Sequence, residues 1–195
     1  TNETLDNSTN AVNVAAVTAK FTGTPTAPVK VTVTGGALAL DAALTIPANN
    51  ELVIEQGGIT GSSGVTVNGK LTVTAGGVAD TTGVTVGATG VANITGNVAQ
   101  VVDVAAGGSA TITGAVTTVA DNNGTLDITG NVTTVTANNG TLDVTGNVTT
   151  LTDNAGDMTV SGTVGTLADN TDGTLTITGA VTTVTNITDG TVTFE

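Results

Sequence analysis

Apolar residues recur at a fixed spacing through the second half of the chain. Residues 114–195 divide into five similar segments, three of 16 residues and two of 17: GAVTTVADNNGTLDIT, GNVTTVTANNGTLDVT, GNVTTLTDNAGDMTVS, GTVGTLADNTDGTLTIT and GAVTTVTNITDGTVTFE. A period of this length is typical of a repeat architecture, in which each unit buries its apolar face against its neighbours.

Alignment of the five segments gives four columns in which every residue is apolar. The columns are Val116, Val132, Val148, Val164 and Val181; Val119, Val135, Leu151, Leu167 and Val184; Leu126, Leu142, Met158, Leu175 and Val192; and Ile128, Val144, Val160, Ile177 and Phe194. The last two columns are two positions apart, as in a strand with one buried face. The first two are three positions apart, which indicates a bend or bulge between them.

The first 95 residues follow the pattern less strictly. Residues 35–95 contain short alternating runs separated by Asn, Gly and Pro, at spacings of about 18–20 residues. The Asn-Gly pair at 68–69 is interpreted as a solenoid corner rather than a hairpin, because strand and turn units continue without pause. Residues 1–34 are predicted to be an extended arm with strands over 11–21 and 29–34, since two prolines exclude a helix between these strands.

We therefore predict an all-β chain, a parallel β-solenoid (β-helix) with coils of 16–20 residues after an extended N-terminal arm and strand region. The arm covers 1–34, irregular coils cover 35–95 and regular coils cover 96–195. A β-sandwich is the alternative, but its strands lie in different environments and would not keep the same columns in five units. No segment predicts a helix, since Thr and Gly are frequent and a 3.6-residue period is absent.

Composition narrows the function classes. The net charge is −13, from 16 carboxylates and 3 lysines, and the chain has no His, Cys, Tyr, Trp or Arg. This charge argues against a nucleic-acid partner, and no run of about 18 apolar residues predicts membrane insertion. Most nucleophile–base pairs are missing, so we predict no enzyme, no catalytic residue and no cofactor-binding residue.

The stretch ALTIPANNELVIEQGGITGSSGVTVNGKLTVTAGG at 43–77 resembles the repeats of secreted bacterial and archaeal surface proteins. Such repeats form adhesin stalks, surface-layer proteins and sheath or filament subunits, so the resemblance implies a structural role. The chain starts at Thr1 rather than Met, as after removal of a signal peptide, and a piece cut from a longer protein would start in the same way. We expect an extracellular or cell-surface location.

Acidic residues cluster in the predicted turns, and two interpretations stay open. Asp153, Asp157, Asp169 and Asp172 stand near Asn and Gly, as the oxygen ligands of a calcium loop do. Asp, Asn and Gly are also ordinary turn residues. Asp127 and Asp143 would stack on one outward column and repel each other unless a cation lies nearby. Calcium is therefore the one ion that the sequence suggests.

Two further surface features are Thr columns and Asn acceptor sequences. Flat Thr-rich solenoid faces can order water, which suggests ice binding, although exposed strand positions also favour Thr in general. The columns are Thr125, Thr141, Thr174 and Thr191, and Thr129, Thr145 and Thr178. Glycans on Asn would require one of the Asn-X-Ser/Thr sequences, which occur at Asn2, Asn7, Asn93, Asn123, Asn131, Asn139, Asn147 and Asn186.

The predicted ends of the solenoid suggest assembly, because a solenoid end exposes an unpaired strand that repeat proteins normally cap. No cap is predicted after Val192 and Phe194. We expect these two residues, and Val12, Val14 and Val17 of the arm, to form assembly edges between copies placed head to tail.

The expected function is a secreted structural subunit that self-assembles through its β-edges into a filament, sheath or surface layer. A monomeric stalk of an adhesin or autotransporter-type protein is one alternative. A calcium- or ice-binding solenoid is the other.

Overall fold

A computed structural model describes residues 1–8, 12–23, 28–79 and 82–195 as a β-solenoid with two main parallel sheets. Sheet A has eleven strands, in the spatial order β1 (Asn2–Asp6), β2 (Lys30–Thr34), β5 (Glu51–Ile54), β8 (Lys70–Val73), β10 (Val91–Ile94), β12 (Ser109–Ile112), β14 (Thr125–Ile128), β16 (Thr141–Val144), β18 (Asp157–Val160), β20 (Thr174–Ile177) and β22 (Thr191–Phe194). Sheet B has nine, in the order β4 (Leu44–Ile46), β7 (Val65–Val67), β9 (Val84–Val86), β11 (Val98–Val104), β13 (Val116–Asn122), β15 (Val132–Val135), β17 (Val148–Asn154), β19 (Val164–Asn170) and β21 (Val181–Val184). A separate pair consists of β3 (Leu38–Leu40) and β6 (Ile59–Gly61).

Strand pairing in the described residues is parallel throughout, and each strand lies beside its counterpart one coil away. The distance along the chain between partners falls from 21 residues for Leu44 and Val65 to 16 for Val116 and Val132. The prediction of a parallel solenoid is confirmed, and the Asn-Gly pair at 68–69 forms a corner between β7 and β8 rather than a hairpin.

The four predicted columns are in register and extend to the N-terminal end of the solenoid. The column that contains Phe194 begins at Leu5, and its inner members are Val33, Ile54, Val73, Ile94, Ile112, Ile128, Val144, Val160 and Ile177. These nine side chains are buried. Burial of apolar surface on this scale is the main stabilising term, at about 25 cal/mol per Å².

The N-terminal region departs from the prediction at α1 (Val14–Thr22), a helix where the sequence predicts a strand over 11–21. The Asn13 side chain caps this helix by accepting a hydrogen bond from Ala16 N at 2.9 Å. Val14, Val17 and Phe21 are buried and spaced three and four residues apart, as the inner face of a helix requires. Residue 11 and residues 24–27 of the predicted proline-containing segment lie outside the described residues.

The predicted strand over 29–34 is confirmed as β2, and β1 pairs with it inside the same chain. α1 packs against β2, β3 and β4. The predicted extended arm is therefore a strand and a helix that close one end of the solenoid.

Candidate assembly interface and surface sites

The last coil, formed by β21 and β22, exposes the ends of the apolar columns. Among the described residues, β21 pairs only with β19 and β22 pairs only with β20, so each of these strands has one edge without a partner strand there. Val184 is 45% exposed and Phe194 is 58% exposed, whereas their partners one coil earlier, Leu167 and Ile177, are fully buried. Ile187, between the two strands, is 43% exposed. An apolar face edged by the outer sides of β21 and β22 therefore lies at this end.

The opposite end of the solenoid is covered by the chain itself. α1 lies over β4, the first strand of sheet B. In sheet A, Glu3 occupies the inward column above Val31, and its carboxylate is 2.9 Å from the Lys20 ammonium on α1. An inward-facing charge on an edge strand is a recognised way of preventing edge association.

Three of the residues predicted as assembly edges belong to this cover. Val12, Val14 and Val17 are 7%, 5% and 0% exposed, because they pack into the core of their own chain. In this structure they are not available to a second copy. Val192 and Phe194, the other two, lie at the open end in β22.

A buried ladder of asparagines runs through four coils and was not foreseen from the sequence. Asn122, Asn138, Asn154 and Asn170 are fully buried, and each of the first three donates a hydrogen bond from Nδ2 to the next Oδ1 at 2.7 Å. Each Nδ2 also donates to a backbone carbonyl near the following corner, such as that of Gly156 for Asn154. The ladder satisfies buried amide groups that would otherwise be costly.

The ladder continues a column that is apolar in the earlier coils. Asn122 lies in register with Val104, which lies in register with Val86. The Val104 side chain cannot donate a hydrogen bond to Asn122, and Asn122 Oδ1 is therefore buried without a partner among the described residues. Asn122, Asn154 and Asn170 belong to the Asp-, Asn- and Gly-rich segments that the sequence predicts as turns. This prediction is wrong for them, because they end strands β13, β17 and β19 with their side chains in the core.

The carboxylates predicted as metal ligands divide between the two sheets. Asp153 and Asp169 lie in register on β17 and β19, Asp157 begins β18 in sheet A, and Asp172 lies exposed in a turn. Within the described ranges, no three His, Cys, Asp or Glu side chains come together as a ligand group.

Asp153 and Asp169 accept hydrogen bonds from hydroxyl and amide groups of the next coil. Asp153 Oδ1 accepts from Thr171 Oγ1 at 2.9 Å. Asp169 Oδ2 accepts from Asn186 Nδ2 at 3.1 Å and from Thr188 Oγ1 at 3.0 Å. In this arrangement each carboxylate ties one coil to a corner of the next.

Asp103 is a partly buried carboxylate on β11. It pairs in register with Asp121 and, with Thr85, Ala105 and Asn123, the two line a surface pocket of about 300 Å³. Burial raises the pKa of Asp103 and the Asp121 charge adds to this, while the hydrogen bond from Asp121 N opposes it.

Replacement of Asp103 by asparagine is expected to stabilise the protein at neutral pH. Because the pKa of Asp103 is higher in the folded protein than in the unfolded chain, the carboxyl favours folding below its unfolded pKa of about 3.9. This contribution to stability is lost as the pH rises through the pKa of the folded protein. An amide removes the buried charge and still accepts from Asp121 N. We expect the free energy of unfolding at pH 7 to rise by less than about 1 kcal/mol, which at this chain length raises the Tm by about 1–3 °C.

Thermal melts from pH 3 to pH 8 measure this effect, with Asp172→Asn as the control that removes the same charge from an exposed turn. The gain for Asp103→Asn should disappear towards pH 3. A gain of equal size in Asp172→Asn would show that net charge, rather than burial of Asp103, is responsible.

The Thr columns predicted for ice binding are only partly continuous. In sheet A, Asp157 lies in register between Thr141 and Thr174, so a carboxylate interrupts the first column. Sheet B instead carries an unbroken column that was not predicted, made of Thr118, Thr134, Thr150, Thr166 and Thr183.

Several Asn-X-Ser/Thr asparagines have hydrogen bonds within the solenoid. Asn147 Oδ1 accepts from Thr163 N at 2.8 Å, and Asn131 Oδ1 accepts from Asn147 N at 2.9 Å. Both side chains belong to exposed residues on the outer surface. Their oxygens therefore link neighbouring coils.

The fold defines the chain as a β-solenoid repeat protein. Comparisons with protein-family models, with curated proteins and with solved structures found no significant match. Among the described residues, no helix reaches the length and hydrophobicity required to cross a bilayer.

Proposed function

We propose that this β-solenoid protein is an extracellular structural subunit that assembles with copies of itself through the strand edges of its C-terminal coil. The observation that carries the proposal is the exposure of Val184, Ile187 and Phe194 beside the outer edges of β21 and β22. Exposed apolar surface next to a free strand edge favours pairing with another chain.

The absence of edge protection within β21 and β22 supports the same proposal. Their sequences, VTTV and TVTF, contain no charged residue and no proline, which are the usual devices that stop strands from associating. Such a device is present at the other end, where Glu3 faces inward. The contrast between the two ends favours an interface at the C-terminal coil.

Composition and mechanics fit an extracellular structural role. The chain has no cysteine and a net charge of −13, and its repeats resemble those of secreted surface proteins. Its mechanical strength would come from parallel hydrogen-bonded ladders along the axis and from dry columns of Val, Leu and Ile. A calcium- or ice-binding role has less support, since Asp153 and Asp169 already accept hydrogen bonds and Asp157 interrupts a Thr column.

Sedimentation velocity over a range of protein concentrations tests assembly of the 195-residue chain. We expect species larger than the monomer that grow with concentration, and we expect Val184→Lys combined with Phe194→Lys to remain monomeric. Lysine at these positions places two charges on the apolar face and removes most of the free energy of association.

The matched control is Thr149→Lys combined with Thr159→Lys, which adds the same charges at exposed positions on inner strands β17 and β18. This control should assemble like the original chain. A chain that stays monomeric at every concentration would favour the stalk alternative. Unchanged assembly of the Val184 and Phe194 variant would place the interface elsewhere.

A further inference from the structure

We infer that Asn123 is a site of spontaneous deamidation, in which water converts the side-chain amide to a carboxylate. The reactive sequence is Asn-Gly, which occurs at 68–69, 123–124 and 139–140. Hydrogen bonding in the solenoid differs among the three pairs and leaves the second one open to reaction. Deamidation is independent of the proposed assembly and can be measured on single chains.

Deamidation of an Asn-Gly pair proceeds through a cyclic imide. The glycine backbone nitrogen loses its proton to solvent and attacks the asparagine Cγ, while the bond from Cγ to Nδ2 breaks and Nδ2 takes up a proton and leaves as ammonia. Water then opens the ring at either carbonyl, which gives aspartate or isoaspartate. Glycine favours the ring closure because it has no Cβ and can adopt many backbone conformations. The reaction therefore needs a glycine N–H that is not held in a hydrogen bond and a side chain that water can reach.

The glycine N–H is held in two of the three pairs. Gly69 N donates to Ile46 O at 3.1 Å, and Gly140 N donates to Asn122 O at 2.8 Å. Gly124 N has no acceptor among the described residues. Of the three glycines, Gly124 alone can therefore present its nitrogen to the asparagine side chain without first breaking a hydrogen bond between coils.

The length of the preceding corner explains why Gly124 differs. The chain passes from β13 to β14 through residues 123–124, and this corner of two residues lies against a corner of four, residues 105–108. No carbonyl of the longer corner accepts from Gly124 N. One coil later, the flanking residues are in register and two corners of two residues lie against each other. Asn122 O there accepts from both N–H groups of the later corner.

The Asn123 side chain is accessible to water. Asn123 is exposed, and its amide has no hydrogen-bond partner among the described residues. It lines the surface pocket of about 300 Å³ that also contains Asp103 and Asp121. Asn139 is exposed as well, but its Nδ2 donates to Asp121 Oδ1 at 3.1 Å. Deamidation of Asn123 would place a third carboxylate in this pocket, beside two like charges.

Incubation of the folded chain at mildly alkaline pH, followed by peptide mapping with mass spectrometry, measures the conversion of each asparagine to acid. Asn123 and Asn139 share the surrounding sequence NNGTLD, so the two should react at equal rates in chains unfolded by urea. In the folded chain we expect Asn123 to react about tenfold or more faster than Asn139, because the Gly140 hydrogen bond must open first. Asn68 should react slowly for the same reason, since Gly69 N is also held.

Asn123→Gln should remove the rapid release of ammonia from the folded chain, because glutamine would have to close a larger ring. Asn139→Gln, at the equivalent exposed position one coil later, is the matched control and should leave the rapid release unchanged. Equal rates at Asn123 and Asn139 in the folded chain would overturn the inference. So would a folded chain in which Asn123 stays intact while the unfolded chain reacts. The proposed assembly stands or fails separately, by sedimentation.

Discussion

Replacement of Asn138 by valine is expected to lower the free energy of unfolding by about 2–4 kcal/mol. The change breaks the asparagine ladder at its second member, so Asn154 Oδ1 loses its donor and Asn122 Nδ2 loses one of two acceptors inside the core. A buried polar atom left without a partner costs about 1–3 kcal/mol, and the second lost hydrogen bond adds about 1 kcal/mol. At this chain length the Tm should fall by about 5–15 °C, measured by circular dichroism.

Asn122→Val is the matched control for this prediction. Asn122 Oδ1 is already unpartnered beside Val104, so its removal exchanges one unsatisfied atom for another, Asn138 Oδ1. We expect Asn122→Val to lower the free energy of unfolding by no more than about 1 kcal/mol. Equal losses for the two variants would mean that the ladder adds nothing beyond filling space.

Replacement of Gly156 by alanine is expected to destabilise the solenoid by about 3 kcal/mol. A Cβ at this position would overlap the carbonyl oxygen of Gly140 in the preceding coil. Two neighbouring coils would have to separate and stretch their backbone hydrogen bonds, which is the usual cost of overpacking. Alanine has less conformational freedom than glycine in the unfolded chain, which by itself would stabilise the protein by about 0.4–1 kcal/mol. A net loss of stability would therefore come from the folded state.

Urea titration of Gly156→Ala and Gly190→Ala measures this difference. A Cβ at Gly190 would meet the Asn170 side-chain amide and the Gly173 carbonyl oxygen, but the last coil can shift away from both because β22 has no strand on its outer side among the described residues. Gly190→Ala should therefore lower the free energy of unfolding clearly less than Gly156→Ala does. A Gly156→Ala chain as stable as the original would show that coil spacing does not require glycine there.

Close approach between coils explains why glycine recurs at the same place in each repeat. From Gly114 onward no glycine has a positive φ, so the repeated glycines are not required by left-handed turns. They are required because corners of successive coils approach closely, as the overlap of Gly130 with Gly114 shows. A repeat pattern reveals that glycine recurs, but only the stacking distance reveals the reason.

The apolar columns could be read from the sequence because every coil places the same side chains in the same environment. The spacing of Val116 and Val119 by three residues continues to Asn122, and this continuation was the available signal for the buried ladder. It was missed because Asp, Asn and Gly in succession are also the commonest turn residues. The amide becomes favourable in the core only when the next coil supplies its partner.

The helix α1 was missed for a different reason. Its sequence, VAAVTAKFT, is rich in Val and Thr, which favour strands in general. The spacing of Val14, Val17 and Phe21, with Asn13 as an N-cap, was the competing signal. Tertiary contact decided the outcome, because the open end of the core needed an apolar cover and a helix buries three side chains there.

Cryo-electron microscopy of the assembled chain tests the central claim most directly. The proposed interface places β21 and β22 of each copy against a second copy, so that Val184, Ile187 and Phe194 are buried between the copies. The account predicts particles larger than one solenoid in which the C-terminal coil lies at a contact between copies. Particles that remain single solenoids, or copies that touch only at faces away from the C-terminal coil, would contradict it.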